Sequence, residues 1–256
     1  MADELFRGPE TELPAGVRLA TEKRGGVTVT RVEIAREGLA RPRGRYVTLE
    51  MPSVSVLDER DTDVIETGAA ELRALLPPEG PVLVLGIGNR RVTADALGPR
   101  TAQKILVTMG PQHTLPVRGI RPVAALAPGV SGDTGLTLRQ LAAAMVDAVR
   151  PAALICVDSL CSAEAARLGR TIQFSDTGLH PADARHARHL DAAALGVPVI
   201  AAGIPTLMDA DEGADLVLTP RALDSVIAHG SALLAGILNR ALQPRLSVAQ
   251  LCWLTG

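Results

Sequence analysis

Aromatic residues are almost absent from this 256-residue chain. It has two phenylalanines, one tyrosine and one tryptophan, which together make up 2% of the sequence. A hydrophobic core therefore has to be built from alanine, valine, leucine and isoleucine. Proteins that bind single-stranded nucleic acid usually stack the bases on aromatic side chains, so the composition nearly excludes that class of function.

The chain also lacks an excess of charge of either sign. Its formal net charge is −2 at pH 7, and its basic residues are spread along the sequence. A protein that binds the phosphate backbone of nucleic acid concentrates lysine and arginine on one surface. The sequence therefore predicts no nucleic-acid partner.

Cysteines and long apolar runs are scarce as well. The three cysteines, Cys156, Cys161 and Cys252, are odd in number and do not have the spacing of metal ligands. This favours a reducing, intracellular setting. Residues 1–4 are acidic where a signal peptide would be basic, and no apolar run approaches the roughly 20 residues that span a bilayer. We expect a cytoplasmic protein with no membrane partner.

Strand and helix patterns divide the chain into two parts. Residues 1–25 are polar and contain several prolines and glycines, which predicts a flexible N-terminal arm. Residues 26–256 are predicted to form a single α/β domain. Its first strands, at 26–34 and 46–51, are expected to pair as a β-ribbon. Strands and helices alternate from residue 82 onward, which predicts a doubly wound, mostly parallel sheet with helices on both faces.

The chemistry is expected where the central strand ends. Residues 82–87 are almost continuously apolar, which indicates a strand buried on both faces. The pattern then breaks at Gly86 and Gly88, and Asp95 precedes a helical pattern. A dinucleotide-binding turn would require a third glycine, but arginine occupies position 91.

Asp95 and Asp158 are the main candidates for catalysis. Each follows an apolar strand, and ligands of parallel sheets bind beyond the carboxyl ends of the strands. If the strands are neighbours, the two carboxylates share one crevice and one proton, so one could activate water while the other protonates the substrate. The same pair could instead hold a divalent metal. The simplest alternative is that Asp95 caps a helix and Asp158 is a loop acid.

Two further patterns have a structural and a functional interpretation. Asp-Thr-Gly, the tripeptide of pepsin-like proteases, occurs at 133–135 and 176–178, but an α/β chain favours tight turns at both places. His180, His186 and His189 could form a zinc site. A solvated polar helix explains His186 and His189 more simply, whereas His180 follows a strand at the expected active edge.

Several blocks of sequence resemble one known family. They include Gly86-Ile87-Gly88-Asn89, VTADALGP at 92–99 and VDSL at 157–160. The other blocks are YVTLEMP at 46–52, APGV at 127–130, TIQFSDTGLHP at 171–181 and GVPVIAAGIPT at 196–206. Together they are similar to the germination protease of endospore-forming bacteria, which degrades small acid-soluble spore proteins during germination.

The resemblance implies a fold like that of the hydrogenase maturation proteases. It places the two catalytic aspartates on Asp95 and Asp158, with Asn89, Asp176 and His180 shaping the site. It further implies location in the spore core, a zymogen that loses an N-terminal propeptide, here within residues 1–25, and a homotetramer. No cofactor is expected. If a divalent metal is present, as in the hydrogenase-maturation relatives, its ligands would be Asp95, Asp158 and His180.

Two alternatives to this aspartic endopeptidase stay open. One is a metal-dependent peptidase of the maturation type. The other is a binding protein on a peptidase scaffold that has lost catalysis, since residues 182–189 depart from the family's glycine-rich loop after His-Pro.

Overall fold

One mixed β-sheet organises the chain. The computed structural model describes residues 13–39, 41–110, 119–180, 189–209 and 216–255. Within them the order across the sheet is β1-β2-β3-β7-β8-β6-β4-β5, and β9 pairs with β8. The strands are β1 (Val17–Arg24), β2 (Val27–Ile34), β3 (Gly44–Glu50), β4 (Val82–Gly86), β5 (Val123–Leu126), β6 (Ala153–Cys161), β7 (Thr171–Ser175), β8 (Val199–Asp209) and β9 (Val217–Leu218).

The sheet has a parallel half and an antiparallel half. Strands β5, β4, β6 and β8 run parallel to one another. From β8 outward, each pair of neighbours is antiparallel: β8 with β7, β7 with β3, β3 with β2, and β2 with β1. The predicted α/β fold and the predicted pairing of the ribbon strands β2 and β3 are therefore confirmed. The ribbon is not a separate unit, because β3 pairs with β7 and so joins the main sheet.

The N-terminal arm is shorter than the sequence predicted. Residues 17–24 form β1, which pairs with β2 along its whole length. Gly25 and Gly26 connect the two strands with φ values of +53° and +82°. Positive φ at both central residues suits the tight turn of a β-hairpin, and a Gly-Gly pair between strands is a signal for it. Residues 1–12 lie outside the described residues.

Helices cover both faces of the parallel half, as predicted. Val82 and Val84 of β4 pack in the core cluster that contains the apolar residues of α1 and α6, whereas Leu83 and Leu85 pack in a second cluster with α4. This alternation follows from the two-residue period of a strand. The helices are α1 (Thr62–Leu75), α2 (Leu97–Ala102), α3 (Ser131–Thr134), α4 (Leu138–Val149), α5 (Ala192–Leu195), α6 (Leu223–Leu242) and α7 (Val248–Thr255).

Helix α6 is the long helix of the core. By length and composition it is the one helix of the described residues that could span a membrane. However, 72% of its apolar window is buried inside the fold, and its residues Ile227, Leu234 and Leu238 are almost fully buried. Its apolar character is therefore accounted for by packing in the core.

Two glycines let helix α2 approach the ends of the parallel strands. A Cβ atom on Gly86 would lie 2.1 Å from the carbonyl oxygen of Gly98, and one on Gly98 would lie 2.3 Å from the carbonyl oxygen of Val157. Any larger side chain at either position would push α2 away from β4 and β6. The close approach places the residues just before α2 at the carboxyl edge of the sheet.

Candidate active site

Asp95 and Asp158 belong to two neighbouring parallel strands, β4 and β6, and to the chain that leaves them at the carboxyl edge of the sheet. Gly86 of β4 is in register with Val157 of β6, and the Ile87 N–H donates a 2.8 Å hydrogen bond to the Val157 carbonyl. Asp158 is the next residue of β6. The chain leaving β4 turns back through a short 3₁₀ helix, Thr93–Asp95, that carries the other acid. Strands β4 and β6 are therefore neighbours, which is the condition under which the sequence predicted that the two acids share one crevice.

A tight loop holds the Asp95 carboxylate in place. The backbone N–H of Asn89 donates a 2.7 Å hydrogen bond to Asp95 Oδ2. Gly88 has a φ of +121°, and a Cβ there would lie 2.1 Å from the Asp95 carbonyl oxygen and 2.9 Å from Oδ1. The loop therefore needs glycine at position 88. Asn89 positions Asp95 through its backbone, while its own side chain accepts from the Arg91 N–H at 3.0 Å.

Asp158 lies within a strand, not after one. The sequence predicted that the strand ends at residue 157, but β6 continues to Cys161, and Asp158 is in register with Gly203 of β8. The apolar pattern stops at 157 because the strand leaves the core there. Asp158 is partly buried, and its Oδ1 accepts a 2.8 Å hydrogen bond from the Ser159 N–H.

The two carboxyl groups have perturbed pKa values. Burial, the larger cause, and the negative charge of Asp95 together raise the pKa of Asp158 from 3.8 to about 8, against the lowering effect of the Ser159 N–H. Burial also raises the pKa of Asp95, while the Asn89 N–H lowers it. Both shifts favour the protonated form, and two interacting carboxyl groups of this kind can hold one proton between them near neutral pH. Such a pair can thus supply a base and an acid at the same time.

A cleft of about 300 Å³ opens beside Asp158. Its walls come from β3, β6, β7 and the segment after β7, which brings Asp158 and His180 to one cavity. Sequence reasoning missed most of this lining, because it depends on the pairing of β3 with β7. The polar side chains around the cleft belong to Arg41, Tyr46, Asp158, Ser159, Gln173, Ser175, Thr177 and His180.

Asp176 lies outside the cleft lining and pairs with Arg45. Its two carboxylate oxygens accept hydrogen bonds from the Arg45 backbone N–H and the Arg45 side-chain Nε, each at 2.7 Å. This ion pair ties the start of β3 to the turn after β7. Asp176 thus holds the turn that precedes His180 against the start of β3.

Both Asp-Thr-Gly tripeptides form turns, as the simpler interpretation predicted. Gly178 and Gly135 have φ values of +83° and +70°. Asp133 lies in the single turn of α3 and faces Arg91 at 3.4 Å.

His180 lies beside His189 and Asp191. Its Nε2 is 2.7 Å from the Thr177 carbonyl oxygen, and its ring centroid is 4.8 Å from that of His189 at an interplanar angle of 72°. One ligand atom from each of His180, His189 and Asp191 lies within 4.8 Å of the other two. The helical face that the sequence predicted for His189 is wrong, because His189 precedes Leu190 in a β-bridge to Leu179. His186 lies outside the described residues.

Comparison with known proteins gives one consistent family. The model of the germination protease family matches residues 7–213. A germination protease of Clostridium perfringens is 32% identical over 278 aligned positions, which cover 86% of each chain. One from Caldanaerobacter subterraneus is 40% identical, covering 82% of this chain and 67% of its own, and one from Bacillus velezensis is 37% identical, covering 87% and 62%.

Among solved structures, a [NiFe] hydrogenase maturation protease, HycI from Thermococcus kodakarensis, matches with a TM-score of 0.44 and 17% identity. The match covers 67% of this chain and 98% of that one.

Proposed function

The chain belongs to the germination protease family and is an endopeptidase, and from that premise we propose that Asp95 and Asp158 are its catalytic pair. One observation supports this assignment above the others. One partly buried carboxyl group lies within β6 and the other on the turn that follows the adjacent parallel strand β4, and the charge of Asp95 raises the pKa of Asp158. Arrangements of this kind cost stability and cluster at functional sites.

In the proposed reaction the ionised Asp95 is the base. It takes a proton from water while the water oxygen attacks the carbonyl carbon of the scissile peptide bond. Asp158 donates its proton to the carbonyl oxygen, which gives a neutral tetrahedral intermediate. When the carbon–nitrogen bond breaks, Asp95 returns its proton to the leaving amine and Asp158 recovers one from the hydroxyl group. Both carboxyl groups end in their starting states.

We propose that this pair works without a metal or another cofactor. The metal set implied by the hydrogenase-maturation relatives, Asp95, Asp158 and His180, does not fit the geometry well. Among the described side chains, the three metal-binding groups that come together are His180, His189 and Asp191.

Family membership supports the remaining parts of the proposal. The substrates would be small acid-soluble spore proteins, and the site of action the spore core. Processing of an N-terminal propeptide and assembly into a homotetramer follow from the same membership.

The test is cleavage of a spore-protein peptide by Asp95→Asn and Asp158→Asn variants. Each should reduce kcat/KM by about 100-fold or more, because each removes a proton-transfer group. Asp133→Asn is the matched control, since it neutralises an exposed aspartate of a turn. It should keep wild-type activity. Activity of either site variant within threefold of wild type would rule out the assignment.

A further inference from the structure

A cluster of three metal-binding side chains lies at the edge of the cleft, separate from the acid pair. His180, His189 and Asp191 are all partly buried, and one ligand atom of each lies within 4.8 Å of the other two. We propose that these residues form a zinc-binding site. His180 also lines the cleft beside Asp158, so the bound ion would lie next to the proposed catalytic centre.

Backbone groups already orient two of the three ligands. His180 Nε2 must carry the proton of the ring, because its 2.7 Å partner, the Thr177 carbonyl oxygen, can only accept. Nδ1 of His180 then has a lone pair available to a metal. Asp191 Oδ1 accepts a 2.8 Å hydrogen bond from the Ala194 N–H as the N-cap of α5, which leaves Oδ2 for the ion. Metal ligands in proteins are typically held by such outer hydrogen bonds.

The backbone also fixes the spacing between the two ligand-bearing segments. Leu179 and Leu190 form a β-bridge with N–H to carbonyl distances of 2.8 and 3.1 Å. Gly178 lies against this bridge with a φ of +83°, and a Cβ there would be 2.2 Å from the Leu190 carbonyl oxygen. The histidines directly follow and precede the bridged leucines. The cluster is therefore built on paired backbone and does not depend on two independent loops.

The donor set favours zinc over magnesium or calcium. Two imidazoles and one carboxylate are the ligands of many zinc sites that keep a fourth position for water, whereas magnesium and calcium prefer oxygen ligands. Zinc bonds of about 2.0–2.1 Å place tetrahedral ligand atoms about 3.3 Å apart. The largest separation in the cluster, 4.8 Å, would have to close by roughly 1.5 Å when the ion binds.

Zinc binding to the untagged full chain tests the proposal directly. In competition with a chromophoric chelator, the wild type should bind one zinc ion per chain with a micromolar or lower Kd. His189→Gln and Asp191→Asn should each weaken binding at least tenfold, consistent with loss of a ligand. Asparagine keeps the N-cap of α5, so Asp191→Asn preserves the fold if His189→Gln does not. Zinc at 100 times its Kd should raise the wild-type unfolding midpoint by about 5–10 °C.

Two controls separate this site from other sources of zinc binding. His229→Gln removes a histidine that contacts the Leu57 carbonyl elsewhere in the fold, and it should bind zinc like the wild type. Asp95→Asn should also bind like the wild type. Magnesium at millimolar concentration should not compete. A wild type with no zinc affinity better than about 100 μM, binding unaffected by both site variants, or binding lost with Asp95→Asn would each overturn the proposal.

Discussion

The four aspartates that stood out in the sequence occupy two different environments. Asp133 and Asp176 lie in turns and pair with arginines, Arg91 and Arg45. Asp95 and Asp158 lie at the carboxyl edge of the parallel strands, where burial and the charge of Asp95 raise the pKa of Asp158 to about 8. The same side chain thus holds turns together in one region and, in the proposed mechanism, transfers protons in the other. The difference comes from what surrounds the carboxylate and not from the local motif.

The largest expected effect concerns whether the two strand-end acids act as a unit. Asp95→Asn and Asp158→Asn each remove a proton-transfer group, so the double variant should lose less than about tenfold beyond the worse single variant. Steady-state kcat/KM on one peptide measures this. Losses that multiply across the two positions would show that the carboxyl groups contribute separately.

The loop that presents Asp95 should tolerate no side chain at Gly88. Gly88→Ala places a Cβ 2.1 Å from the Asp95 carbonyl oxygen at a φ of +121°, so we expect a loss of about 2–4 kcal/mol in the free energy of unfolding together with a large loss of activity. Chemical denaturation measures the first effect.

Gly26→Ala is the matched control for Gly88→Ala. Gly26 also has positive φ, at +82°, but a Cβ there would contact nothing within 4 Å. It should cost only about 1 kcal/mol, from backbone strain alone. Equal costs at the two positions would contradict the close approach to Asp95.

The raised pKa of Asp158 predicts a pH-dependent stability gain when the acid is removed. Between its ordinary value of 3.8 and about 8, the folded chain binds more protons at this site than the unfolded chain. Stability therefore falls as pH rises through this range. Asp158→Asn abolishes this pH-dependent loss and should be more stable than wild type by several kcal/mol at pH 8, with no difference near pH 4.

Denaturant titrations at several pH values test this expectation. Asp133→Asn provides the comparison, because its stability relative to wild type should change by less than about 0.5 kcal/mol over the same range. If the stability advantage of Asp158→Asn over wild type instead grew toward low pH, its sign would be opposite to the one expected, and the raised pKa of Asp158 would be contradicted.

The turn aspartates should give the smallest effects. Arg45 is 49% exposed and Asp176 is 24% exposed, so Arg45→Ala should cost about 1 kcal/mol or less in stability. Because the pair joins the start of β3 to the turn that precedes His180, we expect a loss of activity below tenfold in steady-state assays. If Arg45→Ala lost as much activity as Asp95→Asn, the Arg45–Asp176 pair would have to be counted as part of the catalytic centre.

The strands in the parallel half of the sheet could be predicted from the sequence, whereas the pairings in the antiparallel half were harder to predict. Apolar runs mark β4 and β6, and parallel strands end at one edge, so the adjacency of Asp95 and Asp158 follows from local patterns. The ion pair of Arg45 with Asp176 joins residues 131 positions apart and depends on β3 pairing with β7. No periodicity specifies that pairing. Strand β1 was missed although Gly25-Gly26 gave a usable turn signal.

The histidine cluster shows the same limit at shorter range. His180 and His189 meet because Leu179 and Leu190 form a β-bridge. Their spacing in the sequence suits neither a helix face nor a regular hairpin. The position of Asp191 beside them depends on α5, whose N-cap it forms.

The most direct test of the account is a carboxyl ¹³C NMR titration that follows Asp158 in the wild type and in Asp95→Asn. We predict a pKa of about 8 for Asp158 in the wild type, and a lower one when Asp95 is neutral, because the repulsion of a neighbouring charge is then gone. An ordinary aspartate pKa in the wild type, or a value that Asp95→Asn leaves unchanged, would contradict the claim that the two carboxyl groups share one proton.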